Sequence, residues 1–213
     1  MMKKLNVIKA GRLSYNDALT LQLKTQRDRQ ENRINDTIIF VEHPPVLTTG
    51  RRDQSHNILV DPAEVGAELV KTNRGGEVTY HGPGQIVGYV ILDFEAYGKG
   101  IKAFVSDLEE VFIRLLKDDY SIEAYRDIKH RGVWVKDAKI TAVGLAVSHG
   151  VTMHGFAFNV NPDLSHFDWI VPCGIHDKAV TSLEKLTGRK MNMDVVMEQV
   201  LNSFKNVFSY DIS

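Results

Sequence analysis

Lys139-Ile140-Thr141-Ala142-Val143-Gly144-Leu145-Ala146-Val147-Ser148-His149-Gly150-Val151-Thr152-Met153-His154-Gly155-Phe156-Ala157-Phe158-Asn159-Val160 is the stretch on which the fold turns. Residues 139–147 and 151–160 read as two strands, and Ser148-His149-Gly150 between them supplies the turn of a β-hairpin. Apolar residues fall on both faces of the hairpin, which places it inside a sheet. Upstream, Val133 and Val135 continue the β pattern. Further out, Ile101, Phe104, Leu108, Val111, Phe112 and Leu115 mark one face of a strongly amphipathic helix. Met197, Val200, Leu201, Phe204 and Phe208 mark another near the end of the chain. Near its start, residues 4–9 read as a strand. Ser14 and Asp17 resemble a capping box, and Tyr15, Ala18, Leu19 and Leu23 follow at helical spacing, predicting a helix over 14–31. Thr37-Ile38-Ile39-Phe40-Val41 is a buried strand ended by Pro44-Pro45, after which 46–49 resumes as strand. Residues 50–73 read as loop. Strands and helices do not strictly alternate, so the chain is α+β, with a mixed or antiparallel sheet flanked by helices. No repeat or linker divides it, and residues 1–213 are expected to form a single domain.

The composition bounds the function. The chain has 213 residues, 43% of them hydrophobic and 25% charged, with a formal net charge of -1. That is ordinary for a globular protein with an ample core. Bulk charge gives no reason to expect nucleic acid or an anionic membrane as partner. Arg51-Arg52 and Lys129-His130-Arg131 are the candidates for a local basic patch. A single cysteine leaves no internal disulfide, which points to a reducing compartment, and a cytoplasmic home is the expectation. The N-terminal residues carry charge without a following apolar run, unlike a signal peptide. No window of the length that spans a bilayer is apolar throughout.

Residues 74–89, Arg-Gly-Gly-Glu-Val-Thr-Tyr-His-Gly-Pro-Gly-Gln-Ile-Val-Gly-Tyr, are dense in glycine. Glycines let backbone approach a ligand closely. They also fit a tight hairpin between the strand-like pieces 77–80 and 86–92. The segment is neither a Walker loop nor a dinucleotide fingerprint opening a helix, so phosphate cradling is not indicated. The lone cysteine, Cys173, sits in Pro172-Cys173-Gly174. Lone cysteines are more often small buried hydrophobes than nucleophiles. The flanking Pro and Gly set this one at a turn, where a sulfur can meet a ligand. With an ordinary thiol pKa of about 8.5, it needs a base or a nearby cation to act as nucleophile. His81, His154, His176 and Lys139 are the candidates, and spacing does not choose among them. Taken alone, Lys139 reads as a solvated lysine at a hairpin edge. His81 either orients groups around a reacting centre or hydrogen-bonds within its own loop. The histidines show no pair at ligand spacing, and one cysteine cannot build a zinc cluster, so no metal is expected.

The segment Arg74 to Gln85 resembles the signature of the lipoyl(octanoyl) transferases. Val41-Glu42-His43-Pro44-Pro45-Val46, Lys139-Ile140-Thr141-Ala142-Val143-Gly144, His154 to Val160 and Pro172-Cys173-Gly174 are similar to the family's other motifs, in the same order. The resemblance implies the catalytic fold of biotin and lipoate protein ligases. It also implies transfer of an octanoyl group from octanoyl-acyl carrier protein to a lysine of lipoyl domains. The acceptors implied are the 2-oxoacid dehydrogenase complexes and the glycine cleavage H protein. It names Lys139 as the partner of Cys173, acting as base and then acid. It assigns the acyl pocket to Arg74, Gly75, Gly76, Glu77, Val78, Thr79, Tyr80 and His81, to Ala142, Val143 and Gly144, and to Gly155, Phe156 and Ala157. The implied reaction is ping-pong through an acyl-Cys173 thioester, with neither ATP nor metal nor other cofactor. Backbone N–H groups in a tight turn would hold the oxyanion. Burying seven carbons of the chain could contribute about 5 kcal/mol, at ~0.8 kcal/mol per methylene.

Two other readings stand beside this one. An ATP-dependent lipoate or biotin protein ligase shares the wider fold, but Arg74-Gly75-Gly76 is shorter than a doubled-arginine, triple-glycine adenylate loop. A non-catalytic lipid-binding scaffold would bury Cys173 without using it.

Overall fold

A computed structural model describes residues 3–50, 55–171 and 179–212. Strand β1 (Lys3–Arg12) leads into helix α1 (Tyr15–Gln30), whose N-terminus is capped as expected, Ser14 Oγ accepting the Asp17 N–H at 3.1 Å. β2 (Asp36–Glu42) and β3 (Val46–Thr49) flank the Pro44-Pro45 break. β4 (Glu68–Lys71) lies within the stretch expected to be loop; it is four residues long and exposed, too short to leave a periodic signal. β5 (Thr79–His81) and β6 (Gln85–Ile91) come from the glycine-dense segment. Then follow α2 (Phe94–Tyr97), α3 (Ile101–Tyr120), β7 (Tyr125–Arg126), β8 (Val133–Val135), β9 (Ala138–Ser148) and β10 (Val151–Asn159). The chain closes with β11 (Ala179–Val180), α4 (Leu183–Thr187), α5 (Met193–Phe208) and β12 (Tyr210–Ile212).

Among the described residues the main sheet runs β12-β1-β2-β6-β10-β9-β8-β7, with β11 added beside β9. The β12–β1, β1–β2 and β11–β9 pairs are parallel and the rest antiparallel, so the sheet is mixed. The hairpin that opened the sequence reading is β9–β10, and both its strands lie inside this sheet. Its two-residue turn places His149 at φ 46° and Gly150 at φ 74°, the left-handed pair that matches strand twist.

A second sheet, β4-β3-β5, stands apart. This corrects the hairpin reading of the glycine-dense segment. β5 pairs with β3 in the small sheet, while β6 pairs with β2 and β10 in the large one. The glycines between them carry the chain from one sheet to the other.

α3 and α5 cover one face of the main sheet. Phe104, Leu108, Val111 and Phe112 of α3 and Val200, Leu201 and Phe204 of α5 join Phe40, Val90, Phe156 and Phe158 in one fully buried core. The opposite face packs Ala18 of α1 on Ile39, Val87, Tyr89, Met153 and Ala157. On this face α1 departs from expectation. Leu23, read as apolar-face, is 48% exposed, and Gln22, Thr25 and Gln26 are buried in its place. Gln22 Oε1 accepts the His154 N–H at 3.1 Å, and Gln26 Nε2 donates to Val151 O at 3.0 Å. β10 pairs with β6 only from Gly155 onward, so Val151 O and the His154 N–H just before that point find partners in α1 side chains.

Candidate active site

A cavity of 280 Å³ lies between the two sheets on the α1 side, near the lower end of small-ligand clefts, roughly 300 Å³. One wall is the β9–β10 ladder. Gly155 stands opposite Gly144, Phe156 opposite Val143 and Ala157 opposite Ala142, so the two triplets named from the sequence form one surface. All six line the cavity. The facing wall is the glycine-dense segment: Arg74, Gly76, Glu77, Val78, Thr79, Tyr80 and His81 line it. Gly75 is the exception: it does not line the cavity, and its N–H donates to Leu145 O of β9 at 3.1 Å. The two walls come close enough that a Cβ on Gly144 would sit 3.0 Å from Gly75 O. A side chain there would have to push backbone aside.

Lys139, near the start of β9, opens onto the same cavity. β8 and β9 slip register here: Val133 faces Thr141 but Trp134 faces Lys139, leaving Ile140 as the extra residue of a bulge. Bulges re-aim side chains, and this one lays the Lys139 ammonium over the Trp134 ring, 4.9 Å from its centroid. Lys139 is half-buried. The solvated-edge reading fails because β8 on one side and β11 on the other enclose the strand. Cys173 and His176 lie outside the described residues. The described chain breaks off at Val171 and resumes at Ala179, and Ala179 and Val180 line the cavity.

His81 makes the contact within its own loop and also faces the cavity. Its Nδ1–H donates to Gln85 Oε1 at 3.2 Å, while the ring lines the cavity. Gln85 Nε2 donates in turn to Tyr80 O at 3.2 Å and Asn159 Oδ1 at 3.0 Å, and Asn159 Nδ2 to Thr181 O at 3.1 Å. The Thr181 N–H reaches Lys139 O at 2.9 Å. A chain of hydrogen bonds thus ties the histidine wall to the lysine strand. Burial, with His43 and Arg74 nearby, pushes the His81 imidazole down to about 3. It is therefore neutral, with a lone pair on Nε2.

Sequence reading did not single out as site residues Tyr15, His43 or Tyr89, which surround His81. Tyr15 stacks on it, rings 14° from parallel and 6.3 Å apart. His43 donates from Nδ1 to Leu13 O at 2.9 Å and accepts from the Tyr89 hydroxyl at 2.7 Å. Burial keeps the His43 pKa below the ordinary value and raises Tyr89 far above it. Arg74 is buried here, donating to Thr48 O at 3.0 Å, Thr48 Oγ1 at 2.8 Å and Gly75 O at 3.1 Å. It fastens the glycine wall to β3. His154 holds φ 63° in mid-strand, a conformation that a bulky residue adopts only when its surroundings impose it. The Gln22 contact to its N–H and a 2.7 Å bond from its Nε2 to Asn73 Oδ1 do so. Tyr15 and Tyr89 had no signal beyond an aromatic in an amphipathic or apolar run. No group of His, Cys, Asp and Glu suited to a metal occurs among the described residues. None of the described helices is long and apolar enough to cross a membrane.

Residues 14–205 match the family model for the lipoyl protein ligase A/B catalytic domain. An octanoyltransferase of Desulforamulus reducens is 51% identical over 98% of this chain and 92% of its own length. The mitochondrial octanoyltransferase LIP2 of Arabidopsis thaliana is 40% identical over 98% and 92%. In fold, the chain is similar to a bi-partite lipoate protein ligase of Thermoplasma acidophilum, solved in a study that included its E2 lipoyl domain. The TM-score is 0.73 at 14% identity, covering 100% of this chain and 86% of the other. The chain belongs to the lipoyl protein ligase A/B catalytic domain family, and within it to the octanoyltransferases.

Proposed function

We propose that this protein transfers an octanoyl group from octanoyl-acyl carrier protein to a lysine of lipoyl domains, the first step of protein lipoylation, through a thioester on Cys173. The observation that carries the reading is the placement of Lys139 in one cavity with a facing pair of small-residue triplets, 142–144 and 155–157. A lysine beside a narrow, largely apolar slot suits proton transfer next to a bound alkyl chain.

Lys139 removes the thiol proton of Cys173. The thiolate attacks the carbonyl carbon of the carrier's thioester. The C–S bond to the carrier breaks, and the carrier thiol leaves with the proton that Lys139 returns. The neutral ε-amine of the lipoyl-domain lysine then attacks acyl-Cys173. An amide forms, the Cys173 thiolate departs, and the amine's surplus proton returns to the dyad. Neutral His81 holds the glycine wall in place and accepts, rather than supplies, a hydrogen bond at Nε2. The first step exchanges one thioester for another and the second ends in an amide, so the sequence runs downhill without ATP. In this reading residues 1–213 act as one catalytic unit in the cytoplasm. The acceptors are lipoyl domains of 2-oxoacid dehydrogenase complexes and the glycine cleavage H protein.

The ligase reading differs in one measurable respect. Purified protein incubated with octanoyl-carrier protein and a lipoyl domain should yield octanoylated lipoyl domain in full without nucleotide, and should catalyse no ATP–pyrophosphate exchange. Transfer that requires ATP, with robust exchange, would replace this function with the ligase.

A further inference from the structure

Behind Lys139 lies a charged group that the reaction above does not use. Glu109, on the face of α3 turned to the sheet, has no exposed surface. Its Oε1 accepts the Gly132 N–H at 2.8 Å. Its Oε2 is enclosed without a hydrogen-bond partner, with Arg126 Nε at 3.8 Å. A buried carboxylate costs several kcal/mol that a glutamine or leucine of similar size would not. The cations around it are Arg126 of β7, Arg131 of the next loop and Lys139 of β9. Glu110, one residue on, turns instead to Arg114 and Arg126.

The bond to Gly132 lands at a sensitive point. Gly132 holds φ 124°, and a Cβ there would lie 2.4 Å from Thr141 O and 3.4 Å from both Cδ and Cε of Lys139. Its backbone therefore runs beside the lysine stem, with the Trp134 ring under the ammonium. Thr141 is the residue where the β9 bulge closes. Glu109, Gly132 and the bulge form one small assembly beneath the lysine.

We propose that Glu109 is a positioning residue for Lys139: its buried carboxylate fixes the Gly132 backbone that supports the lysine stem, and supplies the negative charge facing the ammonium. The proposal rests on Lys139 being the lysine of the dyad. Among the described residues, the other titratable or charged groups lining the cavity are Lys129, His130 and Arg131 of the loop, Arg74, Glu77, Tyr80 and His81 of the glycine wall, Tyr15 of α1, Tyr89 of β6 and His154 of β10.

A fixed negative charge makes both members of a thiol–amine dyad harder to deprotonate. Glu109→Gln keeps an acceptor for the Gly132 N–H and removes the charge. The pH–rate profile of acyl-adduct formation from octanoyl-carrier protein should then move to lower pH by on the order of one unit. Glu109→Ala loses the acceptor as well, and the maximal rate should fall about tenfold to a hundredfold through a displaced lysine. Arg126→Gln, at an exposed site, removes a cation from beside the carboxylate, and the profile should move the opposite way, by less. A Glu109→Gln or Arg126→Gln profile that overlays the unsubstituted one overturns the proposal. Lys139→Ala run alongside separates the two claims. If it forms adduct at full rate, the dyad itself is wrong; if it is inactive while the Glu109→Gln profile is unmoved, only the role of Glu109 falls.

Discussion

His81 illustrates how far environment can override a residue's ordinary chemistry. Folding puts its imidazole beside His43 and Arg74 and out of water, holding the pKa near 3, against about 6.5 in an unfolded chain. Both states are neutral above that higher value, so the group is silent there. As pH falls below it, the unfolded state takes up a proton that the native state refuses, and stability drops. Between pH 7 and pH 5 this should cost about 2 kcal/mol. His43, shifted in the same direction, adds to the loss. Urea unfolding at the two pH values should show His81→Gln losing about 2 kcal/mol less than the unsubstituted protein over this interval. Equal losses would mean that His81 titrates normally. A histidine's burial is not written in its sequence neighbours, which is why His81 could be read equally as an orienting group or as a loop contact. Lys139 was no more legible. Residue type and spacing gave a solvated lysine, and only the motif order singled it out. The bulge, the Trp134 ring and the flanking strands that make it half-buried are products of pairing between distant segments.

At the scale of elements, legibility followed length and periodicity. α3, α5 and the β9–β10 hairpin are long and regularly patterned; both helices are present where their apolar faces were read, and the hairpin strands lie within one residue of their expected bounds. β4, β11 and β12, of four residues or fewer, are too short to carry a pattern and exist because a neighbouring strand offers hydrogen bonds. α1 was placed correctly and buries Tyr15 and Ala18 as read, but further along Gln22, Thr25 and Gln26 are buried where Leu23 was expected, because the face it packs on needs polar partners. That exchange has a test. Gln26→Leu removes the donor to Val151 O and Thr152 O and should cost about 1–3 kcal/mol in denaturant unfolding. Leu23→Gln, at a half-exposed site, should fall within roughly 0.5 kcal/mol. The reverse order of effects would restore the apolar-face reading. The glycine-dense segment shows the limit most clearly. Its strand-like ends were visible, but their membership of two different sheets was not, since strand propensity does not name a partner.

The whole molecule divides its labour between the two faces of the main sheet. One face carries the apolar core under α3 and α5, which supplies stability. The other carries α1 and the small sheet, and the cavity lies between β9–β10 and the glycine-dense segment, beside the close approach of Gly75 to Gly144. The α+β class could be read from the sequence, while the cavity could not, because it depends on how the second sheet is laid over the first. The central claim is that an acyl group passes through Cys173 with Lys139 as its base. Intact-mass measurement after incubation with octanoyl-carrier protein tests it most directly. The account predicts one added octanoyl group, located on Cys173, absent in Cys173→Ser and slowed by orders of magnitude in Lys139→Ala. An unmodified protein that still octanoylates lipoyl domains, or an adduct formed at full rate in Lys139→Ala, would contradict it.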